Sequence, residues 1–181
     1  MSKIDTKNWK DFELHTLFDK MECEKLPYKV AELNKFSTAD ADLPALTAGV
    51  ENQGLSVYVS RKDATVLKNC ISVSANGANS GAMFYQPKEF TVLQDSYAIK
   101  CKFQEGRSEY SSLFVIGVIS KSIRLNHDWN EKAGWNKIKG EKIKLPVDSN
   151  GEPDWNYMEN YMKAIEDKVC KSLSMLEKVC K

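Results

Sequence analysis

Side-chain polarity alternates most cleanly over residues 96–103, where Tyr97, Ile99, Cys101 and Phe103 fall on one face. A period of two marks a strand with one buried side. Residues 56–60 and 69–74 alternate in the same way, with Ile71 and Val73 together. Residues 82–85 and 90–93 read as two further short strands. Between the second and third of these lies Ala75-Asn-Gly-Ala-Asn-Ser-Gly81, a loop of small and amide residues with the chemistry of turns. Residues 9–18 mix alternation with a helical ending, which predicts a short strand running into one helical turn. A short helix is expected within 25–40. Residues 43–49 read as extended, because Pro44 biases Leu43 away from helical geometry. Residues 110–124 read as a buried helix, and residues 137–145 are expected to end as a strand.

A turn-rich break follows at 147–153, and Asp154 is placed to cap a helix. From there the apolar positions are Trp155, Met158, Met162, Ile165, Val169, Leu176 and Val179, spaced by threes and fours with Ser172 at the one polar position and Leu173 beside it. That is a heptad stripe without an interrupting Gly or Pro. A helix over 154–180 would be roughly 40 Å long. Such a stripe either docks on its own globular part or offers a seam to another helix. Its length and regular spacing favour the seam. The boundaries expected are a globular unit over 1–150 and a helix over 151–181.

Charge changes this picture only locally. The net charge is +1 with 28% charged and 42% hydrophobic residues, which excludes a generally basic DNA-coating protein and a disordered chain. Residues 121–144 nevertheless hold Lys121, Arg124, Lys132, Lys137, Lys139, Lys142 and Lys144 against Asp128, Glu131 and Glu141. This run is either a solvated face or a phosphate-contacting one. The segment Met1 to Lys10 is polar and unlike a signal peptide, and no apolar run approaches the roughly 18 residues a membrane helix needs. Cys23, Cys70, Cys101, Cys170 and Cys180 are scattered and form no CxxC pair. They read as reduced thiols in a cytoplasmic protein rather than a disulfide or zinc framework.

Catalytic motifs are lacking. His15 and His127 stand far apart and read as surface or capping residues. No P-loop, no GxGxxG after a strand and no GxSxG elbow occurs. Pro153-Asp154 and Glu166-Asp-Lys168 imitate the acid string of a metal-dependent nuclease. Both lie on one expected helix, roughly 18 Å apart along its axis, so the carboxylates cannot share a metal within one chain. No cofactor or metal is expected.

Residues 47–88 concentrate amides, hydroxyls and basic groups near glycines. These groups suit base edges and phosphates, and they equally suit ordinary turns. Several segments decide between these readings. They are Trp9-Lys-Asp-Phe-Glu-Leu-His-Thr-Leu-Phe18, Leu43-Pro-Ala-Leu-Thr-Ala-Gly-Val-Glu-Asn-Gln-Gly54 and Asn69-Cys-Ile-Ser-Val-Ser-Ala-Asn-Gly-Ala-Asn-Ser-Gly-Ala-Met-Phe-Tyr-Gln86. Trp129-Asn-Glu-Lys-Ala-Gly-Trp135, Ile143-Lys-Leu-Pro-Val147 and Gly151-Glu-Pro-Asp-Trp155 through Tyr161-Met162 follow. In this order they resemble the target recognition domains of type I restriction-modification specificity subunits and their type IIB and IIG relatives, over nearly the whole chain.

The resemblance implies an α+β fold: a mixed globular target recognition domain with a twisted β-sheet or partial barrel, followed by one long C-terminal helix. It implies a non-catalytic subunit that reads one half of a split site on double-stranded DNA. The partners implied are an adenine methyltransferase (modification) subunit, a restriction subunit and a second copy of the chain. The alternative is a protein-interaction decoy that binds such subunits and blocks their assembly. The DNA-contacting residues expected are Asn52, Gln53, Asn76, Asn79, Ser80, Tyr85, Gln86, Lys88, Arg124, Lys132 and Lys137. Trp129 and Trp135 read as core or wall residues rather than stacking ones. The helix seam is expected at Met158, Met162, Ile165, Val169 and Leu176.

Overall fold

A computed structural model of the chain describes residues 4–26, 28–62, 64–126 and 132–179. The opening alternation becomes strand β1 (Lys10–Glu13), which runs into a single turn, α1 (Leu14–Leu17), and out again as β2 (Phe18–Lys20). Leu14, Leu17 and Phe18 are all buried, so this corner is pinned by its apolar side chains. The helix expected within 25–40 is reduced to one 3-10 turn, Val30–Glu32. Tyr28, Val30 and Phe36 are exposed, so this segment has no apolar stripe to bury and no reason to continue as a helix.

The middle of the chain supplies β3 (Leu43–Leu46), β4 (Leu55–Val59), β5 (Cys70–Ser74), β6 (Met83–Gln86), β7 (Thr91–Val92) and β8 (Ser96–Cys101). They form a four-stranded sheet in the order β2-β8-β5-β6 and a three-stranded sheet in the order β4-β3-β7. The pairs are antiparallel except β3 with β7. The buried helix expected at 110–124 is α2 (Glu109–Asn126), followed by a single turn, α3 (Trp135–Ile138), and β9 (Lys142–Leu145). The expected strand over 137–145 therefore occupies only its last residues. Ile138 is fully buried and Trp135 packs on Tyr97, so the preceding residues coil to bring both side chains inward. β9 pairs antiparallel with β1, joining the last strand to the first. The sheets are open segments rather than a closed barrel.

β5 is buried along its whole length. Ile71 and Val73 face a core shared with α1, α2 and β9, whereas Cys70 faces Leu46, Phe90 and Ala98. A third cluster joins Leu26, Leu43, Val57, Val59 and Leu93. Burial pushes the Cys70 thiol up to about 11, with smaller opposing effects from Lys100 and others, and pushes Cys101 up to about 11 likewise. Both are inert core residues rather than nucleophiles.

The last element is α4 (Trp155–Val179). The Tyr157 backbone N–H donates to Asp154 Oδ1 at 2.8 Å, the expected N-cap. Trp155 lies on Phe103, with ring centroids 5.8 Å apart. Gly106 makes room for it, since a methyl there would sit 3.0 Å from the Trp155 ring and 2.4 Å from Cys101 Sγ. Phe114 of α2 meets Tyr157 and Tyr161 edge-on. Among the described residues, no helix is long and apolar enough to cross a membrane.

Candidate nucleic-acid interface

The connection between β3 and β4 is a 3-10 turn, Glu51–Gly54, with left-handed backbone at Asn52 (φ 46°) and Gln53 (φ 58°). Gly54 follows at φ 88°. For a residue with a Cβ this geometry costs about 1–2 kcal/mol. Hydrogen bonds hold it in place. Thr47 N donates to Gly54 O at 2.9 Å, and Leu55 N donates to Asn52 O. Gln86 Nε2 donates to Gln53 O at 3.3 Å and to Ser72 Oγ at 3.1 Å. Asn52 and Gln53 are both exposed, and their side-chain amides make no hydrogen bond among the described residues. Gln53, Tyr85, Gln86 and Lys88 then line a groove of about 420 Å³, whose far wall is Glu109 and Leu113 of α2. Burial first, then the Glu109 charge, raises the Tyr85 phenol above its ordinary value.

The other expected residues gather at the opposite end of the β5–β6 hairpin. Ser80 Oγ accepts from Ala133 N at 2.8 Å. Asn76 Oδ1 accepts from Gly77 N at 2.9 Å, and its Nδ2 donates to Asp95 Oδ1 at 3.0 Å. Gly81 sits at φ +83° with its Cα against Ile123, where a methyl would overlap Ile123 Cγ2 at 2.5 Å. Asn76 therefore fastens the turn to Asp95 before β8, and Ser80 fastens it to the 132–134 segment. Asn79 is half-buried beside them, and Lys132 and Lys137 are exposed nearby on the chain. The Arg124 side chain, His127 and Trp129 lie outside the described residues. The structure thus splits the expected DNA-contacting set in two, separated by the length of a four-residue strand, roughly 14 Å.

A larger cleft escaped the sequence reading. About 960 Å³ in volume, it lies between residues 20–30 and 92–97, with Lys20, Lys25, Lys29, Tyr28, Gln94 and Tyr97 on its walls. Lys20 Nζ sits 5.7 Å from the centre of the Tyr97 ring, and the Tyr97 hydroxyl donates to Ala133 O at 2.9 Å. Burial raises that phenol well above its ordinary value. Its lysines alternate with Glu22 and Glu24, so no charge run announced it.

His15 and the acids of the nuclease-like string are engaged in structural contacts. His15 is exposed, with Nδ1 3.1 Å from Lys139 O and 3.3 Å from Glu13. Asp154 caps α4, whereas Glu166, further along the same helix, accepts a hydrogen bond from the Tyr110 hydroxyl.

The heptad stripe of α4 is shared between two roles. Trp155 and Met158 are buried in the chain's own core, and Tyr161 and Met162 are half-buried against it. Met158, at 0% exposure, is thereby removed from the residues expected to form a seam. Beyond Ile165 the stripe is bare: Val169 is 51% exposed, Leu173 55% and Leu176 61%.

Residues 6–174 match the family model described as the type I restriction modification DNA specificity domain. The type II restriction enzyme BgcI specificity subunit S.BcgI of Heyndrickxia coagulans is 24% identical over 137 residues, which is 76% of this chain and 39% of that protein. Solved structures share the fold at low identity. The type I restriction-modification S subunit from M. genitalium superposes with a TM-score of 0.56 at 18% identity, covering 96% of this chain and 44% of that one. The HsdS subunit from Thermoanaerobacter tengcongensis gives 0.58 at 11%, covering 94% and 40%. A chain from a structure concerned with complex assembly and conformational transition of the type I R-M system gives 0.64 at 10%, covering 98% and 43%. The chain spans about two fifths of the length of these relatives.

Proposed function

Because the chain belongs to the type I restriction modification DNA specificity domain family, we propose that it reads one half of a split double-stranded DNA site. It directs an adenine methyltransferase subunit, and with it a restriction subunit, to that site. The observation that carries the reading is the corner at Asn52 and Gln53. Two free side-chain amides stand exposed on a backbone held in left-handed geometry, beside Tyr85, Gln86 and Lys88. Amides placed this way match the donor and acceptor pair on the adenine edge in the major groove. Lys88, Arg124, Lys132 and Lys137 take phosphates, which position the module without specifying sequence. Asn76 and Ser80 support the surface through the turn they close, and Asn79 lies between them.

The chain carries no reacting group in this reading; the methyl transfer belongs to the modification subunit. Ile165, Val169, Leu173 and Leu176 form the seam on which a second copy or that subunit packs. Two copies related by a dyad would make an isologous contact and present two reading corners to a palindromic split site.

The test is selection from a pool of random 20-base-pair duplexes with the full chain and its modification subunit. One short sequence enriches, and its binding weakens steeply as salt rises, because bound phosphates release counterions. Binding without any sequence preference rejects the proposal.

A further inference from the structure

Four described residues other than glycine have left-handed backbone: Asn52, Gln53, Asn69 and Asp95. Asp95 uses its side chain within the fold, since its Oδ1 accepts from Asn76 Nδ2 at 3.0 Å. The other three are amides. All three are exposed, and none of their side chains hydrogen-bonds to a described residue. Asparagine tolerates this geometry better than other residues with a Cβ, so an ordinary turn would account for Asn69 taken singly. Its place among the other elements decides otherwise.

Asn69 stands directly before β5, and its backbone N–H donates to Gln86 O at 3.0 Å. Two residues earlier, Leu67 and Phe90 exchange backbone hydrogen bonds of 2.8 and 3.0 Å. Residues 67–69 and 86–90 are therefore clasped at both ends. The exposed Lys68 and Lys88 lie on the two sides of this clasp. The Gln86 side chain reaches the other way. Its Nε2 donates to Gln53 O at 3.3 Å and to Ser72 Oγ at 3.1 Å, which uses both of its amide hydrogens. Gln86 thus holds Asn69 with its main chain and Gln53 with its side chain. A single glutamine joins the left-handed turn before β4 to the left-handed residue before β5, although the two are far apart in sequence. Three exposed amides meet around it.

We propose that Asn69 is a further specificity-determining residue of the reading corner, whose amide contacts an adenine edge in the same half-site as Asn52 and Gln53. This rests on the DNA-reading function above. A carboxamide donates from its nitrogen and accepts at its oxygen, which matches adenine N7 and N6 in the major groove. Lys68 and Lys88 set positive charge beside it for the phosphates. Gln86, with both hydrogens engaged, spaces the two turns.

The experiment runs the random-pool selection with the full chain and its modification subunit, for wild type, Asn69→Gly and Asn69→Asp. Glycine adopts the φ of 52° freely, so Asn69→Gly keeps the turn and the thermal midpoint. It loses about tenfold discrimination at one adenine position, within the range of one bidentate amide–base pair. The other positions of the enriched sequence are unchanged. Asn69→Asp, which only accepts, shifts that position toward cytosine, whose N4 donates. If both variants enrich the wild-type sequence with wild-type stringency, the role of Asn69 is refuted while the DNA-reading function stands. A loss spread evenly over all positions would make Asn69 part of the scaffold and overturn the proposal as well. If the wild type enriches no sequence, both fall.

Discussion

The two halves of α4 respond differently to truncation. Met158 is fully enclosed by the chain's own core, among side chains of α2 and the sheets. Met158→Ala removes three heavy atoms from a packed interior and leaves a cavity. Such changes cost about 2–5 kcal/mol. For a chain of this size each kcal/mol lowers the thermal midpoint by roughly 2–4 °C, so a loss of about 3 kcal/mol lowers it by roughly 6–12 °C. The loss is the same at all protein concentrations, since nothing outside the chain is involved. Val169 is 51% exposed, and Val169→Ala costs within about 0.5 kcal/mol in the separate chain. Its effect grows with concentration, as mass action requires when a second copy binds only the folded form. The assay is thermal unfolding followed by circular dichroism over a hundredfold range of concentration. A midpoint for Met158→Ala within 2 °C of wild type would refute the docking of the helix base. A concentration-dependent loss for Met158→Ala would refute the separation of roles.

Three further outcomes follow from individual sites. Gly81→Ala places a methyl 2.5 Å from Ile123 Cγ2 on a backbone at φ +83°, and destabilises by about 2–4 kcal/mol in denaturant titration through overlap and strain together. Asp148 accepts backbone N–H bonds from Glu152, Asn150 and Gly151, Glu152 contributing most, and these hold its carboxyl below the ordinary value. A depressed folded pKa contributes stability that is complete above the unfolded value, near 3.9. That contribution disappears as pH falls through the folded one. Wild type therefore loses more stability than Asp148→Asn as pH falls below about 4, read from acid-induced unfolding by circular dichroism. Replacing Asn52 and Gln53 together with glycine relieves left-handed strain and stabilises by up to about 1 kcal/mol, while sequence preference in duplex selection is lost. A double variant that is both more stable and equally selective would remove these amides from the reading surface.

The strands of the four-stranded sheet were legible because Ile71, Val73, Tyr97, Ile99 and Cys101 alternate, and alternation reports a buried face directly. The start and cap of α4 were legible for a similar reason: Pro153, Asp154 and the heptad spacing are local signals. What covers a heptad stripe is not local. Met158 and Val169 both belong to the apolar stripe, yet the first lies over α2 and the second does not, because α4 runs on past the start of α2, where Tyr110 meets Glu166. Asn76 and Ser80 looked like ligand groups, since a turn-closing amide and a DNA-reading one have the same composition. Their partners, Asp95 and Ala133, are distant in sequence. Gly54 hinted at a turn, but a left-handed Gln53 required the bonds from Thr47 and Gln86 to impose it. The lysine cleft was hidden by Glu22 and Glu24, which cancel its charge in any sum along the chain.

The bare stretch of α4 also bounds how tightly two copies can hold each other. Val169, Leu173 and Leu176 already keep roughly two fifths to one half of their surface covered. Covering the rest on both copies contributes about 5–10 kcal/mol at the usual value for aliphatic side chains. Association costs about 4–15 kcal/mol in lost translational and rotational freedom. The balance is near zero, so the stripe alone supports at most a dimer that dissociates at about millimolar concentration or above. A modification subunit packing on the same helices would supply the missing surface. Sedimentation of the chain alone should therefore show mass rising with concentration rather than a constant dimer, and Ile165→Asp with Val169→Asp should hold it monomeric. Adding the modification subunit should drive the wild type into a stable assembly. A wild-type dimer that persists at nanomolar concentration would mean that copies meet through a larger surface than this stripe.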